Sequence, residues 1–158
     1  MRRLCVTIKN RNYRNDNMTI NETQDEIIEE FCEMDDWMDR YQLLIDMGEE
    51  QEPLPASDKT DVNLIDGCQS RVWLVCDEHD GILEFKAESD ALIVKGIVML
   101  LIRVLTHHTP DEILDADLYF IERIGLSEHL SPTRSNGLLA MIKQMRMYAL
   151  AYKTKLAK

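Results

Sequence analysis

One segment near the middle of the chain, Ala91 to Thr106, limits the fold more than any other. Its side chains are apolar around almost the whole helical circumference, and only Lys95, Gly96 and Arg103 interrupt the run. The segment is too short and too interrupted for a membrane span, which needs about 20 apolar residues. We therefore expect a central helix that the rest of the chain buries. Because glycine costs a helix about 1 kcal/mol relative to alanine, we also expect another segment to pack closely at Gly96.

A small sheet is predicted immediately before this helix. Two strand-like runs, residues 72–76 and 82–87, are joined by a turn that ends in Asp80-Gly81, a strong hairpin signal. Residues 63–65 could add a short third strand. The predicted fold class is therefore α+β, with a small three-stranded antiparallel sheet and helices packed on one face.

The remaining regions are mainly predicted helices. Residues 23–26 have the form of a capping box, and apolar side chains then recur at steps of three and four as far as Gly48. This pattern predicts one long helix closed by a left-handed glycine cap. Short helices are expected from Pro110 and from Tyr119, and a long last helix is expected over residues 138–156.

Length and charge indicate one folded domain with a basic extension. At 158 residues, with 45% hydrophobic and 30% charged residues, the chain fits a single globular domain. The net charge is −11; residues 1–17 carry five basic residues against one acid, so they contribute +4 and leave −15 for residues 18–158. We expect residues 1–17 to be a disordered extension and residues 18–158 to be the domain. An acidic body without a basic stripe excludes a nucleic-acid partner.

The cysteines do not form a metal-binding pattern. Cys5, Cys32, Cys68 and Cys76 include no CxxC pair, and their separations match no standard zinc or cluster spacing, so no metal site is predicted. The basic start is followed by polar residues instead of an apolar signal sequence. We therefore expect a cytoplasmic protein with no membrane partner and with reduced thiols.

The candidate reactive residue is Cys68. It follows Gly67, precedes Gln69 and Ser70, and lies just before the first predicted strand. A thiol on a loop tip that a sheet holds is a candidate nucleophile. The alternative is that Cys68 is a buried, inert thiol, which is the commoner fate of a free cysteine. Nearby Arg71 could lower the pKa of the thiol, whereas apolar burial would raise it, and the sequence leaves this open.

Four stretches in order, spanning about Ile27 to Tyr148, resemble the SufE family of sulfur acceptors. These proteins act beside cysteine desulfurases in iron–sulfur cluster assembly. The four stretches are Trp37-Met38-Asp39-Arg40-Tyr41, Gly67-Cys68-Gln69-Ser70 with Val72-Trp73, Ser89-Asp90-Ala91 with Ile93-Val94-Lys95-Gly96, and Leu130-Ser131-Pro132-Thr133-Arg134-Ser135-Asn136-Gly137-Leu138.

The resemblance implies a function for Cys68. A SufS-type cysteine desulfurase would transfer sulfur to this residue as a persulfide, and the sulfur would then pass to an iron–sulfur scaffold. The pyridoxal phosphate belongs to the desulfurase, so no cofactor is expected here, nor any turnover by the isolated protein. Asp90 and Arg134 match family positions near the Cys68 loop or the partner surface. Whether the protein forms a homodimer is left open.

Three other functions stay open on the residues alone. A cysteine hydrolase would need a histidine, such as His79 or His129, within hydrogen-bond reach of Cys68. An iron–sulfur scaffold would need several thiolates, for which Cys68 and Cys76 are the candidates in one region. A pure adaptor would leave Cys68 without a chemical role.

Overall fold

The computed structural model describes residues 18–157, so the predicted basic extension, residues 1–17, lies outside the described part. The described residues form seven α-helices, two short 3-10 helices and one antiparallel hairpin. The elements are α1 Ile20–Cys32, α2 Trp37–Glu49, 3-10 helices Ala56–Asp58 and Asp61–Asn63, β1 Val72–His79, β2 Ile82–Ser89, α3 Leu92–Leu105, α4 Pro110–Asp115, α5 Phe120–Arg123, α6 Leu126–His129 and α7 Pro132–Leu156.

The predicted central helix is α3, and it is buried as expected. Ten of its 14 residues are buried, and it packs against α1, α2, α7 and β2. A Cβ atom at Gly96 would lie 2.1 Å from the backbone oxygen of Leu44 on α2. The close approach predicted at Gly96 is therefore confirmed. Gly48 contributes to the same crossing, because a Cβ there would lie 3.1 Å from the backbone nitrogen of Gly96.

The prediction of one long first helix is wrong. The capping box lies at Thr19 and Glu22, four residues earlier than predicted, and a second helix begins after Asp36. The Asp36 carboxylate accepts a hydrogen bond from the backbone N–H of Met38, which favours a new helix start over continuation of the first helix. Gly48 lies inside α2 and is not a left-handed cap.

The sheet has two strands, so the predicted three-stranded sheet is wrong. β1 and β2 pair from Val72 opposite Ser89 to His79 opposite Ile82. Residues 61–63 form a 3-10 helix instead of a strand, and of the expected third strand only Leu64 makes an isolated bridge to β1. The 3-10 turn satisfies its backbone groups locally and leaves too little extended chain for a ladder.

Helices cover one face of the hairpin, as predicted. Val72, Leu74 and Cys76 belong to the main hydrophobic cluster, whereas Trp73 does not. The last helix, α7, begins at Pro132, earlier than predicted, and Tyr152 on it donates a hydrogen bond to the backbone oxygen of Cys76. Across residues 18–157, every helix falls short of the length and apolar content that spanning a membrane requires.

Candidate functional site

The Cys68 loop, residues 66–71, is fastened at both ends. On its N-terminal side the backbone N–H of Ile65 donates to the Val72 oxygen at 2.9 Å. On its C-terminal side the Asp90 carboxylate accepts from the Arg71 N–H at 3.1 Å, and the Asp90 N–H donates back to the Arg71 oxygen at 3.3 Å. These contacts set the ends of the loop and leave its tip to be held by other groups.

The tip of the loop rests on the second turn of α7. Gly67 has a φ of +94°, a conformation that favours glycine. A Cβ on it would also lie 3.3 Å from the Cβ of Ala140. Next to it, the Cys68 Sγ lies 3.6 Å from the backbone oxygen of Gly137, to which the thiol donates a hydrogen bond. The sequence did not predict this contact between the loop and α7.

The covered position favours the protonated thiol. Cys68 is half-buried, and burial raises the pKa of its thiol above the ordinary value. The Gly137 carbonyl accepts a hydrogen bond from S–H and would repel a thiolate. Arg71 and Arg134 are exposed, and neither offsets the effect of burial. In this position, burial therefore outweighs the positive charge that the sequence placed nearby.

Arg134 lies one turn before Gly137 on α7, and its backbone N–H donates to the Ser131 hydroxyl that caps the helix. Among residues 18–157 its guanidinium makes no hydrogen bond or ion pair, and the residue is exposed to solvent. Gln69 is exposed and Ser70 is half-buried. Neither of these two side chains hydrogen-bonds to another described group.

Asp90 is a tether of the loop and not a helix cap. The N-cap position of α3 is Ala91, and no side chain caps this helix. The Ser89 hydroxyl accepts from the Ala91 N–H just outside the helix. The Asp90 carboxylate is thereby available for the Arg71 backbone, which connects the start of α3 to the loop.

A second set of contacts near the loop was not predicted. The Glu88 carboxylate accepts from the Leu54 N–H at 2.7 Å and pairs with Lys59 at 2.8 Å. The Lys59 hydrogen bond, helped by that of Leu54, lowers the pKa of Glu88 against the effect of burial. Lys59 also lies 5.0 Å from the ring centroid of Trp73. The sequence signal for these contacts is the pairing of Glu88 with Trp73, which lie opposite each other in the hairpin.

Neither histidine proposed for a hydrolase contacts Cys68 in the described structure. His79 ends β1, about 23 Å at the usual rise per residue from Val72, where the Cys68 loop enters the strand. The His129 ring stacks on Trp37 with centroids 3.8 Å apart, and its Nδ1 bonds to the Gly125 oxygen. The described structure therefore contains no cysteine–histidine pair at Cys68.

The other described cysteines differ from Cys68. Cys32 is exposed, Cys76 is buried, and neither forms a disulfide. Burial, together with the charge of Asp77, raises the pKa of Cys76 to about 12. Within the described residues, no three histidine, cysteine or acidic side chains form a group that could hold a metal ion.

Comparisons with known proteins identify the family to which the chain belongs. The family described as "SufE: Fe-S metabolism associated domain" matches residues 25–149. The chain is 39% identical over 130 residues to an uncharacterised SufE-like protein of Rhizobium meliloti (strain 1021), covering 79% of this chain and 93% of that protein. The fold is shared with the solution structure of a hypothetical protein from Thermus thermophilus, with a TM-score of 0.69, 22% identity, and coverage of 84% of this chain and 96% of that one. The chain belongs to the SufE family, whose domain is associated with iron–sulfur metabolism.

Proposed function

We propose that this protein accepts sulfur from a SufS-type, pyridoxal-phosphate-dependent cysteine desulfurase and carries it as a persulfide on Cys68. Membership of the SufE family supports a role in iron–sulfur metabolism. The observation that carries the proposal is the position of Cys68, a thiol on a glycine-containing loop that rests on α7 through a single weak hydrogen bond. Such a thiol is covered at rest and needs only a movement of the loop to become exposed.

The transfer step balances without an external oxidant. The Cys68 thiolate attacks the outer sulfur of the persulfide on the desulfurase, a new S–S bond forms, and the original S–S bond breaks. The leaving group is the cysteine thiolate of the desulfurase, and the Cys68 proton passes to solvent or to a base of the partner. The same displacement, with Cys68 as leaving group, then passes the sulfur to an acceptor of the iron–sulfur scaffold class.

The resting position of Cys68 suits a carrier. Because burial raises the pKa of the thiol, the isolated protein holds it in the less reactive protonated form. Contact with the desulfurase would draw the loop away from Gly137 and relieve the burial. Arg134 is exposed and precedes Gly137 by three residues on α7, so the two positions share one face of the helix, and the guanidinium would be available to stabilise the thiolate. The protein is therefore expected to stimulate the desulfurase and to turn over nothing by itself.

The test is mass spectrometry of the full chain after mixing with a SufS-type desulfurase and free cysteine. The expected result is one added sulfur atom on the Cys68 peptide and faster production of alanine by the desulfurase. Cys68→Ser should lose both effects, whereas the matched control Cys32→Ser, which removes an exposed thiol, should retain both. Sulfur on Cys32 alone, or unchanged stimulation by Cys68→Ser, would contradict the proposal.

A further inference from the structure

The linker, residues 50–64, covers the hairpin face that the helices leave open. Trp73 points to this face, is 8% exposed and lies outside the helix-packed core. Leu54 of the linker is buried as well. The linker therefore replaces a helix as the cover of this outer face, and it leads directly into the Cys68 loop.

Glu88 fastens the linker to the sheet at two points. It lies opposite Trp73 in the strand register, so both side chains are on the outer face. One carboxylate oxygen accepts from the Leu54 N–H at 2.7 Å, and the other pairs with Lys59 at 2.8 Å. The Glu88 side chain is 13% exposed and the Lys59 side chain 34%, so solvent screens this ion pair less than it screens a fully exposed pair.

The fastened linker determines where the Cys68 loop begins. Five residues after Lys59, Leu64 forms its bridge to Trp73, and the Ile65 N–H bonds to the Val72 oxygen. The Asn63 side chain holds the intervening turn through the Asp58 oxygen at 2.8 Å. A continuous set of contacts thus runs from Glu88 to the N-terminal end of the loop.

We propose that Glu88 is a positioning residue that keeps Cys68 in its covered position by fastening the linker. For sulfur transfer, a consequence that rests on the proposed function, Glu88 would shield the persulfide from reductants until a partner protein moves the loop. Glu88 itself touches neither Cys68 nor the sulfur that the residue carries.

The first test is Glu88→Gln in the full chain, which removes the charge with little change in size. We expect iodoacetamide to alkylate Cys68 about tenfold faster at pH 8, since a hydrogen bond to a charged group is replaced by a neutral one. The pH profile of this alkylation should also shift to lower pH, because less burial means a lower thiol pKa. Glu88→Asp, which keeps the charge, should restore most of the wild-type rate.

The controls separate positioning from a general loss of stability. Glu78→Gln removes the same charge from the distant end of β1, where the Glu78 carboxylate accepts from the Gly81 N–H, and it should leave Cys68 alkylation unchanged. Alkylation of exposed Cys32 should be the same in all variants. An unchanged Cys68 rate in Glu88→Gln, or an equal increase in Glu78→Gln, would overturn the proposal.

A second variant keeps the proposal testable if Glu88→Gln folds poorly. Lys59→Met breaks the ion pair but retains the Leu54 hydrogen bond, so we expect an increase of about threefold in Cys68 alkylation. Added to Glu88→Gln, it should change the rate little further, because both act through one contact. If the two substitutions multiplied each other's effect on the alkylation rate, Glu88 and Lys59 would act independently, which would contradict the proposal.

The two proposals can fail separately. If wild-type Cys68 takes up sulfur from the desulfurase but Glu88→Gln does not change its exposure, the positioning proposal fails alone. If Cys68 takes up no sulfur although Glu88→Gln exposes it, the proposed function fails alone. If both hold, the persulfide on Glu88→Gln should be lost to dithiothreitol about tenfold faster than on the wild type.

Discussion

Two glycine contacts in this protein hold segments together with very different tightness. At the crossing of α2 and α3, the position of a Cβ on Gly96 falls 2.1 Å from a backbone oxygen, so the two helices fit only with glycine there. At the Cys68 loop, the position of a Cβ on Gly137 lies 3.5 Å from the Cys68 Sγ, an ordinary van der Waals distance. The first contact belongs to the buried core, whereas the second leaves ordinary van der Waals space between the Cys68 thiol and α7.

The largest difference that we expect from this contrast is in the reactivity of two cysteines, Cys68 on the loop and Cys76 in the core. Cys68 needs only loop opening to react, whereas Cys76 is buried under α7 and needs the hairpin and helices to separate. We expect iodoacetamide to alkylate Cys76 at least about a thousandfold more slowly in the native protein, because opening of a core element costs much of the global stability. The measurement is mass spectrometry of each peptide over time.

Urea supplies the control for the labelling experiment. Low urea should accelerate the alkylation of Cys76 in parallel with global unfolding, while the rate at Cys68 should change little. Equal rates at the two cysteines in the absence of urea would show that the loop and the core open together.

The next largest effect is the change in stability when Gly96 or Gly137 is replaced by alanine. Gly96→Ala should lower the free energy of unfolding by about 3 kcal/mol, since the new methyl group meets backbone that cannot move without separating the helices. Gly137→Ala is the matched control, and it should be neutral or stabilising by up to about 1 kcal/mol, because alanine favours a helix. Urea unfolding followed by circular dichroism gives both values. A Gly96→Ala variant as stable as Gly137→Ala would refute the contrast.

Sequence reasoning succeeded where one pattern determined the structure. The all-round apolar character of residues 91–106 predicted a buried helix, and the glycine within it predicted the close approach of another segment. Each of these features depends on burial, which the pattern of apolar residues records directly.

The errors lie where short-range chemistry competed with periodicity. A continuous apolar stripe indicated one helix as far as Gly48, but Asp36 caps a new helix and breaks it. The third strand was lost because residues 61–63 close a local 3-10 turn. The groups that contact the Cys68 loop, the Gly137 carbonyl at the thiol and the Asp90 carboxylate at Arg71, come from distant segments, and no local pattern specifies that they meet there.

A smaller effect is expected at the tether of the loop. Asp90→Ala removes the acceptor of the Arg71 N–H, so the loop should open more readily and Cys68 alkylation should rise about tenfold. Global stability should change by less than about 1 kcal/mol, since the tether lies outside the core. Asp66→Ala, which removes an exposed acid of the same loop, is the control and should leave the rate unchanged. A large loss of stability without faster alkylation would mean that Asp90 supports the fold and not the loop.

The smallest effect that we expect comes from protonation of His108, and it allows a test of whether the core can be weakened without opening the Cys68 loop. His108 is buried at the outer edge of β2, and burial lowers its pKa although Glu112, 3.6 Å away, acts in the opposite direction. The unfolded chain therefore binds this proton more readily, with a pKa of about 6.5, so the contribution of neutral His108 is complete above that pH and declines below it.

Between pH 7.5 and 5.5 we accordingly expect His108 to reduce the free energy of unfolding by less than about 1 kcal/mol, because Glu112 partly offsets the effect of burial on the His108 pKa. His108→Gln should flatten this part of the pH profile in urea unfolding experiments. The ratio of Cys68 to Cys32 alkylation should follow the same pH course in His108→Gln and in the wild type, because the loop opens without the core. If the variant altered that ratio, the edge of the sheet and the Cys68 loop would form one cooperative unit, and the separation between a tight core and a loosely seated loop would be wrong.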